Sequence, residues 1–284
     1  MSVLFLLLTI LGVSFQNISC KAYNEKSGSA IFTFLALVPL FAIAFFVIPL
    51  KGNFEFNPTA LLFSIGFATM YAMAVLGSLL AIMTGPFSLT SLITAYSLIV
   101  PAGYGLIFLK EPVSVFLIVG IVLLLVSLFL INMEKKGEEK KITLKWAFYA
   151  LLTFIGNGGC STVQKMQLLY CGGKYRNEFM IMAYAIAVVV LFIPVIVKER
   201  NGFFKNLKTA CPYALVYGIS NGMSNFLVIL LSTMMAASVM FPLILAGGIV
   251  LTVLVSIFIY KEKLSREQII GVILGIGAII ALNI

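Results

Sequence analysis

The chain has 284 residues, of which 62% are hydrophobic and 10% charged, and its mean hydropathy is +1.13. A soluble domain of this length could not cover that much apolar surface, so the composition points to an integral membrane protein. The formal net charge of +9 is not a nucleic-acid signal, because the Lys and Arg residues lie between the apolar runs, where membrane proteins keep them.

A helix needs about 20 apolar residues to cross a bilayer, and ten such runs can be read in chain order. They are Ser2–Cys20, Ala30–Leu50, Pro58–Ile82, Pro86–Leu109, Pro112–Met133, Ile142–Leu169, Asn177–Val197, Ala210–Thr233, Ser238–Tyr260 and Arg266–Asn283. The first run could pass for a signal peptide, but it has no basic n-region and a later internal helix matches it, so a mature helix is expected. Asn57-Pro58 places a capping residue before a proline at the first helical position. Ser265 and Gln268 have the spacing of a capping box. Glu134–Lys145 is the strongly polar linker.

The runs on either side of that linker repeat. Ile107–Asn132 and Phe258–Asn283 align without a gap, so that Lys110 falls on Lys261, Glu111 on Glu262, Ser114 on Ser265, Gly120 on Gly271 and Asn132 on Asn283. Leu8-Thr9-Ile10-Leu11-Gly12 likewise matches Leu152-Thr153-Phe154-Ile155-Gly156, and Lys21 falls on Lys165. A repeat of this kind sets the architecture. Residues 1–133 and 146–284 each hold five spans, joined by the 134–145 linker. Five is odd, so the second half must cross in the opposite sense. The expected fold is an all-α integral membrane protein with ten transmembrane helices in two inverted five-helix repeats, a transporter design whose substrate site lies near the midplane between the halves.

The ten acids are all Glu, at 25, 55, 111, 134, 138, 139, 178, 199, 262 and 267, and each lies in a loop or at the end of a span. His and Asp are absent. A buried ionisable residue would be the default proton carrier or cation site, and none is placed at mid-membrane. Neutral polar residues are. In the sixth span Thr153, Asn157, Ser161 and Gln164 share one helical face. Asn221 and Asn225 lie one turn apart in the eighth, beside Ser220 and Ser224. Gln16 and Asn17 stand in the first span, and Tyr71, Tyr96 and Tyr184 in the third, fourth and seventh. Amides in lipid must face other helices or water. They serve either as helix–helix glue at about 1 kcal/mol per bond or as a cavity lining. The candidate substrate-binding set is Gln16, Asn17, Tyr71, Tyr96, Asn157, Ser161, Gln164, Tyr184, Asn221 and Asn225.

Other features have plainer readings. Lys165 is expected to snorkel from the end of its helix, as Lys21 would. Glu111 and Glu262 are expected to cap the fifth and tenth helices, where a negative charge complements the dipole. Gly247, Gly248, Gly271, Gly275 and Gly277 are expected to permit close helix packing. Cys20, Cys160, Cys171 and Cys211 have neither CxxC nor zinc spacing. With no nucleophile, acid pair or metal cluster in the membrane, no enzyme is expected, and no cofactor or metal. The absence of GxxxxGK[ST] excludes a primary pump built from this chain alone.

Two five-helix halves, each closing on a Lys-Glu corner and a glycine-bearing last helix, resemble the EamA-type carriers of the drug/metabolite transporter superfamily. The resemblance covers essentially the whole chain. It implies a multi-pass plasma-membrane protein, of the bacterial inner-membrane type, that carries amino acids, nucleotide-type metabolites, drugs or other small polar solutes. The implied partners are a small-molecule substrate and the lipid bilayer, with no nucleic acid, in a monomer or homodimer. Small four-helix multidrug exporters of the same superfamily carry a central Glu eight residues before a Lys. Here those positions hold Val13 and Asn157, so proton-coupled export through a buried carboxylate is not expected. Rival readings are a non-transporting receptor or scaffold, and a proton-coupled drug exporter using some other residue. The family usually has both termini inside. Fourteen of the 19 Lys and Arg residues, however, fall on the loops after the first, fifth, seventh and ninth spans. The charge rule therefore places the linker in the cytoplasm and both termini outside.

Overall fold

The computed structural model describes residues 2–26, 30–132, 142–258 and 265–282. The described residues form eleven α-helices and one short 3₁₀ turn, with no strand among them. The helices are α1 (Ser2–Lys26), α2 (Ile31–Val47), α3 (Pro58–Thr84), α4 (Phe87–Tyr96), α5 (Ile99–Ile107), α6 (Val115–Asn132), α7 (Leu144–Tyr170), α8 (Arg176–Lys198), α9 (Phe203–Leu231), α10 (Ala237–Phe258) and α11 (Arg266–Leu282). Six segments are long and apolar enough to cross a membrane: Ser2–Asn24, Ile31–Leu50, Pro58–Thr84, Leu89–Ile107, Arg176–Lys198 and Phe203–Leu231. Val115–Ile131 and Ala237–Leu251 are shorter apolar helices. The Lys261–Glu262 corner, Asn283, Met133 and residues 134–141 of the linker lie outside the described residues.

The sequence predicts one span over Pro86–Leu109, and the structure breaks it between α4 and α5. Pro101 is the cause. It has no N–H to return to Ser97 O, and its ring crowds that carbonyl. Val100 N takes Ser97 O instead at 3.0 Å, and Leu98 N turns to Ala95 O at 3.4 Å. Thr94 O accepts from Ser97 N at 3.3 Å and from Ser97 Oγ at 2.5 Å instead of from Leu98 N. α1 also runs on past Cys20 to Lys26.

The chain packs as two compact units. The first comprises Met1–Ala72 and Val163–Thr233, the second Met73–Thr162 and Met234–Ile284. Each unit draws helices from both sequence halves. In the first, α9 packs on α1 and α2, and α2 packs on α8. Tyr23 stacks on Phe34 with ring centroids 4.5 Å apart, within a core that includes Leu37, Val38, Ala210 and Ala214. α9 approaches α2 backbone to backbone at Gly218, where a Cβ would stand 2.6 Å from Val38 O.

In the second unit α6 packs on α11 and α4, and α10 on α5, α6 and α11. Leu92, Leu124, Leu128, Ala246 and Ala278 form its core. The repeat is visible in the α6–α11 contact. A Cβ on Gly120 would meet Leu282 Cγ at 2.6 Å, and one on its twin Gly271 would meet Ile131 Cγ1 at 2.7 Å. Ile131 and Leu282 are themselves twins at the same offset, so the two contacts are reciprocal. Ser127 Oγ adds a hydrogen bond to Gly271 O at 2.6 Å. α11 buries Gly271, Gly275 and Ala278 and exposes Ile269, Ile273, Ile276 and Ile280. Small residues inside and large apolar ones outside is the arrangement a lipid solvent favours.

The caps follow local chemistry. Ala60 N donates to Asn57 Oδ1 at 3.0 Å, as Asn57-Pro58 predicts. The capping box at α11 closes both ways, Ser265 N to Gln268 Oε1 at 3.0 Å and Gln268 N to Ser265 Oγ at 3.2 Å. Its twin, Ser114, accepts from Leu117 N at 3.0 Å and caps α6.

Glu111 corrects its expectation. It does not cap the helix that follows it. Lys110 adopts a left-handed conformation with φ 53°, and the Glu111 carboxylate accepts from Ala237 N and Ser238 N, both at 2.8 Å, at the start of α10. Glu199, at the end of α8, closes the start of α2 in the same way. Its oxygens accept from Phe32 N at 2.9 Å, Thr33 N at 2.8 Å and Thr33 Oγ1 at 2.6 Å. A carboxylate from one sequence half thus caps a helix of the other, in both directions. Glu262 lies outside the described residues.

Lys165 is also corrected. It does not reach out to an interface; it is buried, and its Nζ donates to Ser232 O at 2.9 Å, at the C-terminal cap of α9. A cation there complements the negative end of the helix dipole.

Candidate functional site

Within the first unit, amides from three helices and a tyrosine hydroxyl from a fourth form one hydrogen-bonded network. Gln16 of α1 donates from Nε2 to Ser224 Oγ on α9 at 3.2 Å and to Gly12 O at 3.3 Å. Asn221 of α9 donates from Nδ2 to Gln16 Oε1 at 3.1 Å. Tyr184 of α8 donates its hydroxyl to Asn221 Oδ1 at 2.8 Å. Asn225, one turn further along α9, donates to Asn221 O at 2.9 Å and accepts from Gln164 Nε2 of α7 at 2.8 Å. Gln164 Nε2 also lies 3.6 Å from Met180 Sδ on α8. The 3.6-residue period puts Asn221 and Asn225 on one face of α9. α1 can approach that face because Gly12 has no Cβ to press on Ser224 Oγ.

Aromatic rings border the network. Tyr184 is fully buried and meets Tyr71 edge-on at 5.7 Å, Phe67 at 5.9 Å and Phe46 at 6.0 Å. Phe67 stacks on Tyr71 at 6.1 Å, and Phe46 meets Phe226 at the same distance. Tyr71, Phe226, Asn221 and Asn225 are only half-buried, so this edge of the cluster is reachable. Buried amides of this kind are neutral, and each offers both donor and acceptor groups.

The ten candidate residues therefore divide. Gln16, Gln164, Tyr184, Asn221 and Asn225 share the network, and Tyr71 packs on it. Asn17 belongs to the same unit but is exposed on α1. Asn157, Ser161 and Tyr96 belong to the second unit. Asn157 Nδ2 donates to Ser97 Oγ at 2.6 Å and to Thr94 O at 3.3 Å, at the α4–α5 break. Tyr96 donates its hydroxyl to Leu125 O on α6 at 2.9 Å. All three bonds tie helices together. Ser161 is half-buried on α7. The residues that sequence reasoning missed are Met180, Phe46, Phe67 and Phe226. Apolar residues carry no positional signal in a chain this hydrophobic. Among the described residues, no group of three or more Cys or Glu side chains converges to hold a metal ion.

No protein-family model matches the chain, and no curated protein matches it. A solved crystal structure does align with 99% of this chain and 95% of its own length, at a TM-score of 0.78 and 12% sequence identity. The chain shares that structure's fold. At this identity the likeness concerns the fold alone.

Proposed function

We propose that this chain is a multi-pass carrier of the EamA type in a plasma membrane, of the bacterial inner-membrane kind, that moves a small polar or zwitterionic metabolite by alternating access. The observation that carries the reading is the neutral network of Gln16, Gln164, Tyr184, Asn221 and Asn225. It is contributed by long helices and reachable at its Asn221–Asn225 edge. Asn157, by contrast, directs its amide donor to backbone and hydroxyl oxygens at the α4–α5 break. A half-buried cluster beside aromatic rings is what recognition of a small polar solute requires. The reciprocal Gly120–Leu282 and Gly271–Ile131 contacts support an inverted ten-span repeat. Glu111 and Glu199 are engaged as helix caps, which supports facilitated diffusion or exchange over carboxylate-coupled transport.

The test is a thermal-shift screen of purified protein against a metabolite panel, followed by counterflow of each stabilising compound in proteoliposomes. A ligand raises the melting temperature by mass action, and a carrier also shows saturable flux of that ligand. Stabilisation without flux would make the chain a receptor and overturn the reading.

A further inference from the structure

The hydrogen bonds of the four amides leave specific groups unused. Gln16 donates both amide hydrogens, to Gly12 O and Ser224 Oγ. Gln164 directs both towards Asn225 Oδ1 and Met180 Sδ. Asn221 donates one of two, to Gln16 Oε1, and Asn225 one of two, to Asn221 O. One N–H is left on each asparagine, and the two lie one helical turn apart, about 5–6 Å. Among the described residues, Gln164 Oε1 accepts no hydrogen bond although Gln164 is only 4% exposed. That oxygen is not sealed in. Among the described residues the enclosed polar side-chain atoms with no partner are Gln167 Oε1 and Ser238 Oγ. The unused set is thus two amide N–H groups on the half-buried asparagines and one amide C=O on Gln164.

Among the described residues, no charged group bonds any of the four amides. Lys165 follows Gln164 in α7, but its Nζ is directed to Ser232 O. A charged solute seated here would be desolvated without a counter-charge, which is costly. The flat ring of Tyr71 is half-buried and meets Tyr184, whose hydroxyl donates to Asn221, and the half-buried Phe226 meets Phe46.

We propose that the network binds an uncharged planar solute bearing an amide-type edge, with its carbonyl on the Asn221 and Asn225 N–H groups, its own N–H on Gln164 Oε1, and its ring against Tyr71. This rests on the carrier reading of the same network and narrows its substrate class.

Three isosteric probes decide it: pyridine-3-carboxamide, pyridine-3-carboxylate and protonated 3-(aminomethyl)pyridine, titrated calorimetrically into the purified full-length chain at neutral pH. The amide binds at least about tenfold more tightly than either charged analogue, the difference expected from one or two well-made hydrogen bonds plus an uncompensated charge. Gln164→Glu keeps an acceptor but adds a negative charge, so it weakens the amide and admits the ammonium analogue. A purely structural role for Gln164 would not produce that exchange of preference. Equal or tighter binding of a charged analogue to the wild type, or binding of none of the three, overturns the proposal, and this ranking stands even if Gln164→Glu fails to fold. The carrier reading fails separately, in the flux assay. A charged solute that is transported, and whose affinity Asn221→Leu weakens, would sink the neutral class and leave the carrier.

Discussion

Tyr184 shows how one side chain serves two purposes. Its ring is packed between Phe46, Phe67 and Tyr71, and its hydroxyl donates to Asn221. Tyr184→Phe keeps the ring and removes the donor, so it should lower stability by about 1 kcal/mol. Tyr184→Ala also opens a cavity and should cost about 3–5 kcal/mol. Denaturant melts of the two variants separate these effects, and equal losses would show that the hydroxyl dominates. At this scale the sequence was half legible. The spacing of Asn221 and Asn225 placed them on one face, and they do act together. Asn157 and Gln164 also share a face, but they are seven residues and about 10 Å apart along α7. Periodicity states which way a side chain points and not which neighbour it meets, so the stripe serves one unit with Asn157 and the other with Gln164.

At the scale of elements, helix ends were the most legible feature, because capping is local chemistry. The Asn57 cap and the Ser265–Gln268 box follow from residues within four positions of each other. Glu111 and Glu199 were not legible, because their partners are 126 or 127 and 166 or 167 residues away. Glu111→Gln replaces an acceptor-only group with a weaker one at the start of α10 and should cost about 0.5–2 kcal/mol. It should leave the pH response of flux per folded molecule unchanged. If that variant remained folded and lost a proton-driven component of uptake, Glu111 would be a coupling group and not a cap. Gly271→Val drives a branched side chain into Ile131 and the Ser127 carbonyl and should loosen α11 from α6. Gly120→Val should do the same through Leu282, and similar losses in melting temperature for the two would reflect their reciprocal contacts.

Across the whole molecule, the repeat in sequence and the packing in space divide the chain differently. The halves meet at the linker, whereas both compact units combine segments from either side of it. A sequence repeat records what was duplicated. Contacts record which faces bury one another, and α2–α9 and α6–α11 pair across the halves. Topology is testable from charge. With fourteen of 19 basic residues on one set of loops, a single cysteine introduced at Lys140 should resist an impermeant thiol reagent in intact cells and react after permeabilisation. Ready labelling from outside would place the termini in the cytoplasm instead.

The most direct measurement sets Asn221 against Asn157. Both are half-buried asparagines in long helices, and the first belongs to the open network while the second closes the α4–α5 break. Counterflow in proteoliposomes, run with a thermal melt of each variant, reads affinity and stability together. Asn221→Leu should raise the half-saturation concentration by up to about tenfold for each bond lost to the solute. Asn157→Leu should lower the melting temperature and leave half-saturation unchanged in the protein that survives. A half-saturation untouched by Asn221→Leu, or raised by Asn157→Leu alone, would contradict the placement of the substrate site on this network.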